Sequence, residues 1–204
     1  NSFTDTNSNI FHGAGKATSD NFEVFGGTFN KSVNDPFADG FISAKNADGT
    51  YGVKEGHYVA QVGSKKHETL ADAIRPAAKD KTIQLLNDTT ENITINVSKQ
   101  ITLDLNGHTL NGGTSTAKAT ILNEGTVTIT DTSADKTSTI KRDNQGIEGE
   151  TSYYVIHNIG TMVIDQANVM NNSGYKKANS SGSMAGSSLI RNGDDDPQAS
   201  LTIN

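Results

Sequence analysis

Ile121-Leu122-Asn123-Glu124-Gly125-Thr126-Val127-Thr128-Ile129 reads as a short strand, a tight turn and a second strand, and the pattern recurs. Ile156-His157-Asn158-Ile159-Gly160-Thr161-Met162-Val163-Ile164 has the same form, Ile-x-Asn-x-Gly-Thr-x-x-Ile. A third copy opens at Ile190-Arg191-Asn192-Gly193 and resumes at Leu201-Thr202-Ile203, after an insertion containing Asp194-Asp195-Asp196-Pro197. The copies start 35 and 34 residues apart. Self-similarity at such a period marks a repeat architecture, in which each unit buries its apolar face against its neighbours. The reading is of about two solenoid coils per repeat. Ile121, Ile156 and Ile190 should then stack in one interior ladder.

Working outward, the strands on either side alternate. Ile93, Ile95 and Val97 share one parity, and Ile101, Leu103 and Leu105 another, with Thr94, Asn96, Thr102 and Asp104 between them. Period two with β-branched enrichment reads as half-buried strand. Asn106-Gly107, Asn111-Gly112 and Gly112-Gly113 punctuate the strands as turns. One helix interrupts them. Thr69 and Asp72 match a capping box, and Leu70, Ala73, Ile74 and Ala77 fall on one helical face. Pro76 should end that helix early. Thr82-Ile83-Gln84-Leu85-Leu86 follows as the first strand of the repeating region, so the helix is placed to cover the open apolar end of the stack. Nearer the start, Phe22-Glu23-Val24-Phe25 leads into Gly26-Gly27-Thr28-Phe29, and Phe41 to Val53 reads as a hairpin around Asp48-Gly49. The expected domains are 1–55, the end of a preceding β-rich unit with a terminal hairpin, and 56–204, a unit that opens with strand and capping helix. The second unit reads as truncated, so the chain is expected to be an internal piece of something longer.

Composition agrees with narrow stacks of small side chains. Only 33% of the 204 residues are hydrophobic and 6% aromatic, with no Trp. A net charge of −6 is too modest for a disordered chain of this length. It also argues against a nucleic-acid partner, and no basic stripe with interleaved aromatics appears. Cysteine is absent, which rules out disulfides and thiolate metal sites. No apolar run approaches the length of a membrane span, and no signal peptide is recognisable.

Three stretches carry a family likeness. Thr69-Leu70-Ala71-Asp72-Ala73-Ile74, Thr82 through Asp88, and Ile101-Thr102-Leu103-Asp104-Leu105-Asn106-Gly107-His108-Thr109-Leu110 together resemble the opening of pectin-lyase-like β-helix domains. Such domains occur in large surface proteins of gut and other Gram-positive bacteria. Gly26 through Phe29 and Asp48 through Tyr51 resemble the end of a unit in the same proteins. The resemblance implies an all-β fold, a right-handed parallel β-helix with a short N-terminal capping α-helix. It implies an extracellular or cell-surface, adhesin-like setting and names no catalytic residue.

Candidate chemistry is sparse. Asp104 and Asp165 should point outward from strands, and would form a carboxylate pair for glycoside hydrolysis if their coils stacked. The plainer reading is two solvated acids, about three coils apart. Asp131 reads as a turn residue. Asp194-Asp195-Asp196 offers oxygen ligands but lacks the spacing of a calcium loop. Gly13-Ala14-Gly15-Lys16 lacks the upstream Gly and following Ser or Thr of a phosphate loop. His12, His57, His67, His108 and His157 match no metal spacing, and no Gly-x-Ser-x-Gly elbow occurs. Thr126, Thr128 and Thr130 suggest a water-ordering ladder, broken by Asn, Asp and Lys; β-propensity explains them. The sequon Asn92-Ile93-Thr94 carries no weight in a bacterial chain. The expected function is a non-catalytic structural or adhesive module that needs no cofactor or metal. Carbohydrate, a host surface protein and neighbouring repeats of the same polypeptide are its expected partners. The alternative is a polysaccharide lyase or glycoside hydrolase on the same scaffold.

Overall fold

The structure is a computed structural model that describes residues 2–3, 24–31, 40–113, 118–143, 154–172, 189–194 and 198–204. They divide into two units, 1–58 and 59–204. Phe22, Glu23, the Gly13–Lys16 stretch and His12 lie outside the described residues.

In the first unit, β1 (Ser2–Phe3), β2 (Thr28–Phe29), β3 (Phe41–Lys45) and β4 (Tyr51–Glu55) form one sheet in the order β1-β2-β4-β3. β1 and β2 run parallel, and β3 and β4 are the antiparallel hairpin expected from Asp48-Gly49. Gly49 takes φ +87° at the turn. The Asp48 carboxylate accepts from the Thr50 hydroxyl at 2.6 Å and the Thr50 N–H at 2.9 Å, which holds its pKa below the ordinary carboxylate value. Buried Val24 and Phe29 pack with Phe41, Tyr51 and Val53.

The second unit opens with β5 (Ala60–Val62), β6 (Lys65–His67) and α1 (Leu70–Ile74). Seven residues after Ile74 begins a run of parallel strands. They are β7 (Lys81–Leu85), β8 (Thr89–Thr90), β9 (Ile93–Ile95), β10 (Gln100–Asp104), β11 (Thr109–Asn111), β12 (Ile121–Asn123) and β13 (Thr126–Thr130). Then follow β14 (Thr139–Asp143), β15 (Ile156–Asn158), β16 (Thr161–Ile164), β17 (Asn168–Asn172), β18 (Ile190–Asn192) and β19 (Ser200–Ile203). Sheet I takes β7, β10, β13, β16 and β19; sheet II takes β8, β11, β14 and β17; sheet III takes β9, β12, β15 and β18. The chain visits the three sheets in rotation and advances by one parallel strand at each return.

Register fixes the length of each circuit. Neighbouring strands of sheet I lie 20, 26, 35 and 39 residues apart in sequence, as Lys81 to Ile101, Gln100 to Thr126, Thr126 to Thr161 and Thr161 to Ser200. The 35-residue repeat is therefore one circuit and not two coils, since register returns the chain to the next strand of sheet I once per repeat, and circuit length varies with the connections. Those between sheets II and III grow steadily: 91–92, 112–120, 144–155, then 173–189.

Ile93, Ile121, Ile156 and Ile190 stack in register in sheet III, as the repeat predicted. Ile83, Leu103, Ile129 and Ile164 do the same in sheet I, joined in one buried cluster with Leu70, Leu85, Leu110 and Ile140. Each such side chain taken out of water contributes about 1.5–3 kcal/mol. Val97 departs from the predicted alternation: it lies past the end of β9 and is exposed. Two positions after Ile121, Ile156 and Ile190, the residues Asn123, Asn158 and Asn192 form a second ladder. The Asn123 amide donates to Asn158 Oδ1 at 2.7 Å, and the Asn158 amide to Asn192 Oδ1 at 2.6 Å. Asn123 also donates to Thr161 O, and Asn158 to Ser200 O, so these buried amides fasten each corner to the next. The glycines of the repeat stand where corners touch. A Cβ on Gly125 would meet Asn96 O at 2.4 Å, and one on Gly160 would meet Gly125 O at 2.1 Å.

The N-terminal end of the stack is covered twice. β5 pairs antiparallel with β7 and carries β6 beyond it, so the first edge of sheet I is closed by a hairpin. Helix α1 buries Leu70, Ala73 and Ile74. It stops at Ile74, earlier than its apolar face suggested, with Pro76 just beyond. Thr69 caps it by accepting from Asp72 N at 3.0 Å, while Asp72 turns out to Arg75 at 3.1 Å. Glu91 supplies the remaining acceptor, taking Leu70 N at 2.8 Å and Ala71 N at 3.1 Å. Lys99 Nζ donates to Arg75 O and Ala77 O at 2.8 and 2.9 Å, tying the far end of the helix to the first circuit. Among the described residues no helix is long and apolar enough to cross a membrane.

Candidate functional site on the outer face of sheet III

Residues between the interior positions of sheet III face outward. Register lines up Thr94, Leu122, His157 and Arg191 in one column across β9, β12, β15 and β18. Beside it lies a shallow hollow of about 190 Å³ lined by Asn92, Ile93, Thr94, Lys118, Ala119, Leu122 and His157. Ala119 and Leu122 give it an apolar floor. Asn92, Thr94, Lys118 and His157 give it a polar margin. Asn92 is fixed by donating to Ala119 O at 3.0 Å. Lys118 is exposed and, among the described residues, forms no ion pair.

His157 is held at one end of the hollow. Its Nε2 lies 3.0 Å from Asp194 Oδ1, which also meets Arg191 Nη2 at 2.7 Å. The Arg191 guanidinium sits 5.7 Å from the Tyr154 ring centre, and the Tyr154 and His157 rings are 6.0 Å apart. Only 9% of His157 is exposed, so the cluster fixes the ring's direction. In sequence His157 is one of five scattered histidines. The signal was there in the repeat: Leu122, His157 and Arg191 occupy the same position in three copies, the variable place between Ile and Asn.

The sequence-derived acids stand elsewhere. Asp104 occupies an outward position of sheet I yet is buried, contrary to the expected solvated acid. Its carboxylate accepts from Thr132 Oγ1 at 2.6 Å, Gln84 at 2.9 Å, Thr132 N at 3.0 Å and Asn106 N at 3.1 Å. Asp165 is exposed and accepts from Asn204 at 3.2 Å. Register puts Thr130 between Asp104 and the position of Asp165, so the two are two circuits apart and not three. At about 4.8 Å per strand that is about 9.6 Å along the stack, so distance alone does not separate them. What removes Asp104 from acid–base work is its set of four donors.

Asp131 holds a turn, accepting from Ser133 N at 2.9 Å and Ser133 Oγ at 2.6 Å. Burial raises its pKa, but donors from Ser133 and Ser138 outweigh this and hold the carboxyl well below the ordinary range. Its oxygens also take Gly107 N at 3.0 Å, linking successive turns between sheets I and II. Asp195 and Asp196 lie outside the described residues. His57 is exposed, His67 is buried at the end of β6, and His108 lies 3.4 Å from Asp88. Among the described residues no three His, Asp or Glu side chains gather as a metal site. Compared with family models, curated proteins and solved structures, the chain matches none.

Proposed function

We infer that the second unit is a right-handed parallel β-helix, and that the chain is a non-catalytic, adhesive module of a secreted or surface-displayed bacterial protein, binding glycan on the outer face of sheet III. The rotation of the chain through three parallel sheets supports the solenoid. The hollow beside His157 carries the functional reading. An apolar floor with a margin of amide, hydroxyl and charged groups matches the two faces of a sugar ring, C–H below and hydroxyls around. At about 190 Å³ it is smaller than the about 300 Å³ at which pockets for larger ligands begin, which suits one ring docked on a surface. The exposed ammonium of Lys118 favours a saccharide bearing a carboxylate.

A rigid scaffold that presents variable connections along one corner is a common way to build recognition surfaces. Here Asn92, Lys118 and Ala119 come from the connections between sheets II and III, the ones that lengthen from circuit to circuit. The test is a glycan array followed by titration calorimetry on the best acidic glycan. Binding should fall at least tenfold in Lys118→Glu and in Leu122→Asp, with an unchanged circular dichroism spectrum. Neither pectin nor polygalacturonate should be turned over, with or without Ca²⁺. A protein that binds no glycan, or a turnover that disappears in Asp165→Asn, would overturn the reading.

A further inference from the structure

We propose that Lys141 and Asn111 join spontaneously in an intramolecular isopeptide bond, with Asp143 as the acid–base group. The observation lies on sheet II, away from the hollow, and stands independently of the glycan reading. Asn111 and Lys141 are register partners on the adjacent parallel strands β11 and β14, so their side chains leave the same face about 4.8 Å apart. Asp143, two residues after Lys141, shares that face. One of its oxygens, Oδ2, lies 2.7 Å from Lys141 Nζ and 2.9 Å from Asn111 Nδ2. The nucleophile and the leaving group are thus gathered on a single carboxylate oxygen.

The third requirement is a donor for the carbonyl oxygen. Gly113 N–H donates to Asn111 Oδ1 at 2.8 Å, from a backbone at φ +62° that glycine adopts without strain. This polarises the amide carbon and is placed to stabilise an oxyanion. Along the stack, Thr90 flanks Asn111 and Met170 flanks Lys141. The Lys141 and Asp143 side chains are each 28% exposed, so most of the triad is withdrawn from water.

The chemistry balances without a co-reactant. The Asp143 carboxylate takes a proton from the Lys141 ammonium, and the free amine attacks Asn111 Cγ. A C–N bond forms, and the oxyanion is held by Gly113 N–H. The protonated Asp143 then passes its proton to the departing nitrogen as the Cγ–Nδ2 bond breaks, and takes up the surplus proton left on the attacking nitrogen, which leaves with the ammonia as ammonium. The product is an amide between the two side chains and a regenerated carboxylate. No group is oxidised or reduced.

Intact-mass spectrometry of the purified protein tests this. The expected result is a mass lower than the sequence mass by one ammonia, about 17 Da by the stoichiometry above. Trypsin should yield the Asn111 and Lys141 peptides as one branched species, readable by fragmentation. Lys141→Arg and Asp143→Asn should restore the full mass. A cyclised Asn111-Gly112 succinimide would lose the same mass, but its peptides would separate and hydroxylamine would cleave it. That outcome, or a folded protein of full mass with separate peptides, would overturn the proposal whether or not the variants fold.

Discussion

At the scale of single residues, the repeat carries two kinds of information, and only one was legible. The isoleucine ladder follows from apolar periodicity alone. The asparagine ladder does not, because an Asn after an alternating run reads equally well as a turn residue. Nothing short of the register shows that Asn158 accepts from one amide and donates to another. Removing it takes an acceptor from the buried Asn123 amide, and a buried group left short of a partner costs about 1–3 kcal/mol; Asn192 is exposed and can turn to water. Asn158→Ala should therefore destabilise the protein by about 1–3 kcal/mol in urea titrations. Gly160 was legible as a turn, but its reason is contact and not conformation. Gly160→Ala forces a methyl against the Gly125 carbonyl and should cost about 1–3 kcal/mol. Gly26→Ala, with nothing within 4 Å of the new carbon, is the control. His67 gives a pH dependence. Burial, and then the Lys65 charge, push its pKa below the ordinary imidazole value, against the opposing pull of Asp72. As pH falls below about 6.5 the unfolded chain takes up the proton first, so stability drops until folded His67 also titrates. Melting temperatures measured from pH 7.5 to pH 5 should fall in the wild type and fall less in His67→Gln.

At the scale of elements, the cap was visible in outline. Thr69, the apolar face and Pro76 marked a helix in the right place. Its true length, and the partners that hold it, come from residues far away in sequence: Glu91 on its first amides and Lys99 on its last carbonyls. No local pattern encodes those contacts. The antiparallel hairpin β5–β6 was also missed. Gly63, at φ +60°, is its turn signal, but the strands on either side are only three residues each. Leu70→Asp should cost about 2–4 kcal/mol, because it buries an unpaired charge against the first circuit. Lys99→Met keeps the stem and removes both hydrogen bonds, and should cost about 1–3 kcal/mol by the same denaturation assay.

At the scale of the molecule, the sequence supported the β-rich class and the stacking of its repeats. It misjudged the size of a circuit, since strand periodicity is silent about how much chain a connection consumes. The candidate site was hidden for the same reason. Thr94, Leu122, His157 and Arg191 form a column only when circuits of unequal length are brought into register. Stacking also orders local stability. Strands β10 and β13 are paired on both sides and covered by both neighbouring circuits. Their amides should exchange most slowly in deuterium, ahead of those in β17, β18 and β19. The lengthening of the circuits gives the chain a direction. Closing a loop costs entropy that rises with the logarithm of its length, about 0.6 kcal/mol for each doubling. The circuit that closes over 20 residues and the one that closes over 39 differ by close to that amount. The shortest circuit is also the first of the four to emerge during synthesis, already supplied with its hairpin and helix. Each finished circuit then becomes the template on which the next, longer one can condense, so assembly would run from the amino end like a zip with progressively wider teeth.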